Sequence, residues 1–117
     1  MLFRSSACGT HENTQDEDKR ELEVLFSQIE NIIGDAASDD PADCRVIAYG
    51  AKPCGGPWGY LVYSIQDTDT LSLKIKVSSY YIKENAYNHK WGIDSDCMFV
   101  EPPDSLICED GHCVSVY

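Results

Sequence analysis

The chain reads as an α+β domain, an antiparallel sheet of about 4–5 strands carrying two helices in the order α-β-β-α-β-β-β, braced by disulfides. Three observations predict this. An apolar stripe at helical period runs through Leu22, Leu25, Phe26, Ile29, Ile32 and Ile33. Two short runs rich in β-branched and aromatic residues, 44–49 and 60–64, have the composition of strands. Six cysteines are spread over 117 residues, two of them flanking an Asp-Gly turn.

The first helix has a clear start and stop. Thr14-Gln15-Asp16-Glu17 fits a capping box, in which the Thr hydroxyl and the Glu carboxylate reciprocally satisfy free backbone amides. Asp16, Glu17 and Asp18 sit where the helix dipole favours negative charge, and Gly34 supplies the C-terminal break. Residues 1–13 lack periodicity and read as a mobile tail, leaving 14–117 as the single domain. The aspartates of 35–43 lack the alternation and the glycine of an EF-hand loop, so no metal is expected there.

The stretch 70–91 satisfies two periods at once. Leu71, Leu73, Ile75 and Val77 alternate as in a strand, whereas Leu73, Val77, Tyr80, Tyr81, Glu84 and Asn88 form a helical ladder. Length favours the helix, because so many residues without a turn signal is long for a strand, and Asp69 or Thr70 can cap it while Gly92 ends it. Tyr80, Tyr81, Tyr87 and Trp91 then cover a sheet rather than bind sugar. Asp96-Cys97-Met98-Phe99-Val100 reads as a third strand stopped by Pro102-Pro103, followed by a hairpin over 105–117.

In that hairpin Asp110-Gly111 is a favoured centre of a two-residue type I′ turn. Glu109 then faces His112, and Cys108 faces Cys113 as a non-hydrogen-bonded pair, close enough for a Cys108–Cys113 disulfide. Cys44, Cys54, Cys97 and Cys8 are left in unresolved pairing. The spacing around His112 is not that of a zinc site, and neither metal nor cofactor is expected. An oxidised framework implies an extracytoplasmic location, whether secreted, periplasmic or surface-anchored. Ser5-Ser6-Ala7-Cys8 has the local look of a lipoprotein cleavage site, so any membrane association would run through a lipid anchor at Cys8.

Charge narrows the partners. The net charge is −11, most of it within 11–43, where eleven acids meet two bases; such a surface repels phosphate backbones and makes nucleic acid a poor partner. Catalytic motifs are lacking: His11, His89 and His112 lie in no nucleophile signature, and 50–59 lacks the Gly-Lys-Ser/Thr ending of a phosphate loop, so no enzyme is expected.

The loop between the first two strands is the candidate binding element. Prolines restrict it, glycines permit positive φ, and Cys54 can pin it covalently. Lys52, Pro53, Gly55, Gly56, Pro57, Trp58 and Tyr60 offer interface residue types at low ordering cost, against the plainer alternative of a structural loop with Trp58 in the core. The sequence therefore predicts a small extracytoplasmic module that binds a protein partner. Its expected role is inhibition of a peptidase or other secreted enzyme by steric occlusion through the 50–60 loop. The alternative is a structural or assembly component of the cell envelope with no soluble ligand.

Cys54-Gly55-Gly56-Pro57, Tyr60-Leu61-Val62-Tyr63-Ser64, Ser95-Asp96-Cys97, Pro102-Pro103 and Cys108 with Gly111 and Cys113 together resemble small secreted or lipid-anchored proteins of Bacteroidetes-type bacteria. The likeness spans residues 44–117 and contains no catalytic motif. It implies placement outside the cytoplasm and a helix at 70–91, and it implies no activity.

Overall fold

A computed structural model describes residues 13–117; the expected tail and the fate of Cys8 fall outside the described residues, apart from Asn13. The element order is α1 (Gln15–Ile33), a 3₁₀ turn (Pro41–Asp43), β1 (Cys44–Tyr49), β2 (Gly59–Ser64), α2 (Thr70–Trp91), β3 (Ser105–Glu109) and β4 (His112–Val116). The α+β class is as expected. The single sheet is not: the strands form two separate antiparallel hairpins, β1-β2 and β3-β4.

Local signals set both helices. Thr14 caps α1 with both halves of the capping box made, and Gly34 ends it at φ 63°. Asp69 accepts from the Ser72 amide at the start of α2, and Gly92 closes it in the left-handed region. Asp18 staples the two helices where the start of α1 meets the end of α2. Its carboxylate accepts from Lys90 Nζ (3.0 Å), Trp91 Nε1 (2.8 Å) and Asn13 Nδ2 (3.0 Å). Lys90, then Trp91 and Asn13, hold the carboxyl down at about 2 against an ordinary 3.8. A depressed acid stabilises the fold above its unfolded value and loses that contribution as pH falls through the folded one. Melting curves of the parent and Asp18→Asn are therefore expected to differ at neutral pH and to converge as pH drops from about 4 to about 2.

The core lies between the helix pair and the hairpins. Ile29 and Leu73 are fully buried, with Ile33, Val77, Tyr63, Ala36, Cys44 and Cys113 around them. Phe26 of α1 bridges Tyr49 of β1 (centroids 5.3 Å apart) and Tyr80 of α2 (5.7 Å); the α2 aromatics therefore do not cover a sheet as expected, since Tyr80, Tyr87 and Trp91 meet α1 and Tyr81 is half in solvent. The β3-β4 register is the expected one, Glu109 facing His112 and Cys108 facing Cys113, with Asp110 and Gly111 both at positive φ.

Three other expectations are corrected. No larger sheet forms because the outer edge of β4 is occupied by the α1-β1 connection: Cys113 N donates to Ala36 O and Ser38 N to Gly111 O, each at 2.9 Å. The expected strand over 96–100 is irregular, because its backbone is tied to side chains and a disulfide rather than to a neighbouring strand. The bridge expected between Cys108 and Cys113 instead joins Cys113 to Cys44, and Cys108 is a free thiol. Packing of the hairpins brings Cys44 to a Cα–Cα distance of 5.6 Å from Cys113, in the preferred range for a disulfide. A non-hydrogen-bonded hairpin pair holds its Cα atoms about 4.5 Å apart, at the short limit of that range. The second disulfide is Cys54–Cys97.

Candidate functional site

Loop 50–58 is built from its base outward. Gly50 adopts φ 82°, and a Cβ added there would lie 2.8 Å from Trp58 Cδ1 and 3.0 Å from Glu84 Oε1. Gly50→Ala is accordingly expected to cost roughly 1–3 kcal/mol in a thermal melt, from strained backbone and the displaced indole. Gly55→Ala, at φ 104° but with open space around it, should carry the backbone strain without the clash and so cost less than Gly50→Ala. Beyond Gly50, the peptide groups of Ala51 are gripped from α2: Ala51 N donates to Glu84 Oε1 (2.6 Å) and Asn88 Nδ2 donates to Ala51 O (2.8 Å). Glu84 and Asn88 are one helical turn apart, so a single face presents both groups. The tip closes through Gly55 N to Lys52 O and Lys52 N to Gly56 O, each 2.9 Å, with Pro53 fixing the first corner.

Burial drives the electrostatics beneath the loop. Glu84 sits among Phe26, Tyr49, Trp58 and Tyr80 in a cleft of about 410 Å³. Desolvation pushes its carboxyl above the usual range, against the hydrogen bonds from Ala51, Tyr80 and Trp58. The same burial, with the Glu84 charge, raises the Tyr80 phenol to about 12 and moves Tyr49 upward. An acid whose folded value is raised weakens the fold as pH climbs between its unfolded and folded values. Glu84→Gln is expected to flatten the fall in melting temperature as pH rises above about 4.5 while keeping an oxygen acceptor for Ala51.

Lys52 turns inward. It is 5% exposed, and its Nζ lies 2.6 Å from Asp96 Oδ1, 3.0 Å from Met98 O and 5.2 Å from the Trp58 ring centroid. Lys52, with the Met98 amide second, holds the Asp96 carboxyl below its ordinary value. Together with Cys54–Cys97, these contacts clasp loop 50–58 to segment 93–103. Tyr60 makes a further tie, its hydroxyl donating to Val100 O at 3.2 Å. No family model, no curated protein and no solved structure matches the chain. What the site can do therefore rests on its own geometry.

Of the residues picked from sequence, Gly55 and Gly56 are exposed, Pro53, Pro57 and Tyr60 are half-buried, and Trp58 is 38% exposed with one edge against Gly50. Trp58 is thus neither a core residue nor a free anchor. What sequence reading missed is the outward surface of the other loop: Met98 and Phe99 are each 75% exposed. Their signal was the pairing of Cys97 with an apolar run between cysteine and diproline, which the strand reading absorbed.

Two further clusters lie outside the clasp. Cys44, Cys108 and Cys113 hold three sulfurs within 4.8 Å of one another, but the disulfide occupies two of them, so this oxidised form offers one thiol and not a metal-ligand set. His89 Nδ1 lies 2.8 Å from Asn85 O and His112 Nδ1 lies 2.9 Å from Asp35 O, so each described histidine has one ring nitrogen on a backbone carbonyl.

Proposed function

We propose that the chain is a small extracytoplasmic binding protein, not an enzyme, and that it inhibits a peptidase or another secreted enzyme by occluding its cleft. The observation that carries this reading is the double-loop clasp. Two irregular segments far apart in sequence are joined by Cys54–Cys97 and by a buried lysine, and they present two large apolar side chains to solvent. A side chain fixed before binding loses little entropy on association, and exposed apolar residues on a fixed backbone are the kind that anchor interfaces. The two disulfides support an oxidising compartment, and no described helix is long and apolar enough to cross a membrane.

The test is titration of the oxidised chain against a panel of secreted peptidases, with gel filtration of each mixture. Stoichiometric inhibition and a stable complex with at least one enzyme are expected, both lost after reduction. Absence of inhibition and of complex throughout the panel would remove the peptidase-inhibitor reading.

A second reading, an assembly component of the cell envelope, is favoured by a different feature. The helices leave a groove of about 890 Å³ between them, whose apolar lining is Val24, Leu25, Ile82 and Ala86 beside charged residues such as Arg20 and Lys83. Ile82→Asp separates the two readings: it leaves enzyme inhibition intact if the clasp is the working surface, and abolishes assembly if the groove is.

A further inference from the structure

Segment 93–103 carries a more specific inference, which rests on the inhibitory reading above. Around its exposed apolar pair the backbone is held at alternate residues. Met98 O accepts from Lys52 Nζ at 3.0 Å, Val100 O accepts from Tyr60 Oη at 3.2 Å, and Met98 N donates to Asp96 Oδ1 at 3.1 Å. Between these anchors Phe99 makes no hydrogen bond among the described residues through either its amide or its carbonyl, and its ring is 75% exposed. Cys97 is cross-linked to Cys54 two residues upstream, and Pro102-Pro103 stiffens the exit three residues downstream.

We propose that Phe99–Val100 is a substrate-like reactive bond, offered to a serine peptidase whose primary pocket takes a large apolar side chain. A peptidase needs a free carbonyl to place in its oxyanion hole and an accessible side chain for its primary pocket. Phe99 supplies both. Met98 does not, because its carbonyl is committed to Lys52. A hydrophobic slot selects an aromatic ring here, whereas a pocket with a buried carboxylate would demand a cation.

The disulfides explain why such a segment would inhibit rather than be consumed. Attack by the enzyme's serine on the Phe99 carbonyl expels the Val100 amine and leaves an acyl-enzyme; water then completes a hydrolysis that consumes one water molecule. Neither new end can leave. The Phe99 side stays two residues from the Cys54–Cys97 bridge, and the piece beginning at Val100 stays bound through Cys44–Cys113. Tyr60 still holds the Val100 carbonyl, so the amine remains beside the acyl carbon and can re-form the peptide bond at high effective concentration.

The experiment titrates the full oxidised chain against chymotrypsin and trypsin, using Phe99→Ala and Phe99→Lys beside the parent; both substitutions fall at the same exposed side chain, so folding is preserved. The parent is expected to inhibit chymotrypsin and not trypsin. Phe99→Ala should weaken that inhibition at least about 100-fold, and Phe99→Lys should transfer it to trypsin. Mass spectrometry of the parent complex should show one added water, with two fragments meeting at Phe99–Val100 that separate only on reduction. Inhibition of chymotrypsin unchanged in both variants, or inhibition of peptidases of other specificity alone, overturns the reactive bond and keeps the inhibitory reading. Rapid cleavage at Phe99–Val100 without inhibition of chymotrypsin makes the segment a plain substrate and overturns the bond as well. No inhibition of any peptidase removes the reactive bond together with the peptidase form of the inhibitory reading.

Discussion

Replacing Cys44 by alanine should destabilise the oxidised protein measurably, whereas replacing Cys113 should leave it nearly unchanged, although the two residues share one disulfide. The reason is the third sulfur. Cys108 Sγ lies 3.9 Å from Cys44 Sγ and its residue faces Cys113 across the hairpin. Either variant can therefore form a substitute bridge as it folds under oxidising conditions, but the two substitutes close loops of very different length.

Loop length decides the outcome. In the chain-entropy account, the native Cys44–Cys113 link, with a sequence separation of 69, contributes about 4 kcal/mol. In Cys113→Ala the substitute Cys44–Cys108 spans 64 residues and retains nearly all of that. In Cys44→Ala the substitute Cys108–Cys113 closes only the hairpin turn, contributing about 2 kcal/mol and leaving a net loss near 2 kcal/mol. Removing Cys44 and Cys108 together should show the full loss of about 4 kcal/mol. Denaturant titration of the three variants, with peptide mapping of the unreduced chains, checks both the energies and the pairings. Equal destabilisation by the two single variants would mean that Cys108 cannot reach its neighbours.

The same triplet shows where sequence stops being readable. Cys108 opposite Cys113 is a local consequence of Asp110-Gly111, and it holds. Which of the neighbouring sulfurs bonds to Cys113 depends on where the start of β1 comes to rest, a contact across 69 positions that no local pattern encodes. The caps of both helices were legible for the same local reason, through Thr14 with Glu17, Gly34, Asp69 and Gly92.

The candidate site divides along that line too. That Cys54 pins a proline- and glycine-rich loop can be read from composition; that Lys52 turns inward cannot, because its partner Asp96 lies 44 residues away. Met98, Phe99 and Val100 have strand composition, yet they lie in an irregular segment in which the Met98 and Val100 carbonyls are held by Lys52 and Tyr60. Residue type does not distinguish a buried strand from an apolar segment left in solvent. Glu84 and Asn88 were visible as the polar end of the α2 ladder, but their task of holding Ala51 emerges only once the loop is in place.

Helix α2 provides the other large expected effect, and it also explains why its period was ambiguous. Leu73 is 0% exposed and Leu71, two residues earlier, is 69% exposed; Ile75 and Ile82 are also largely in solvent. Apolar residues thus lie around much of the helix, so a strand-like alternation coexists with the helical ladder. In a strand, residues two apart share a face; in a helix they point to nearly opposite sides. Leu73→Ala is expected to cost about 3 kcal/mol, within the roughly 2–5 kcal/mol seen when a buried leucine leaves a cavity. Leu71→Ala should stay within about 0.5 kcal/mol, since it removes surface already in water and alanine is the better helix former. Urea titrations should show the Leu73 variant's midpoint moved far down with an unchanged slope, and the Leu71 variant's barely moved. Comparable losses at both positions would instead put the two side chains on one buried face, and α2 could not then hold Ala51 from a single turn.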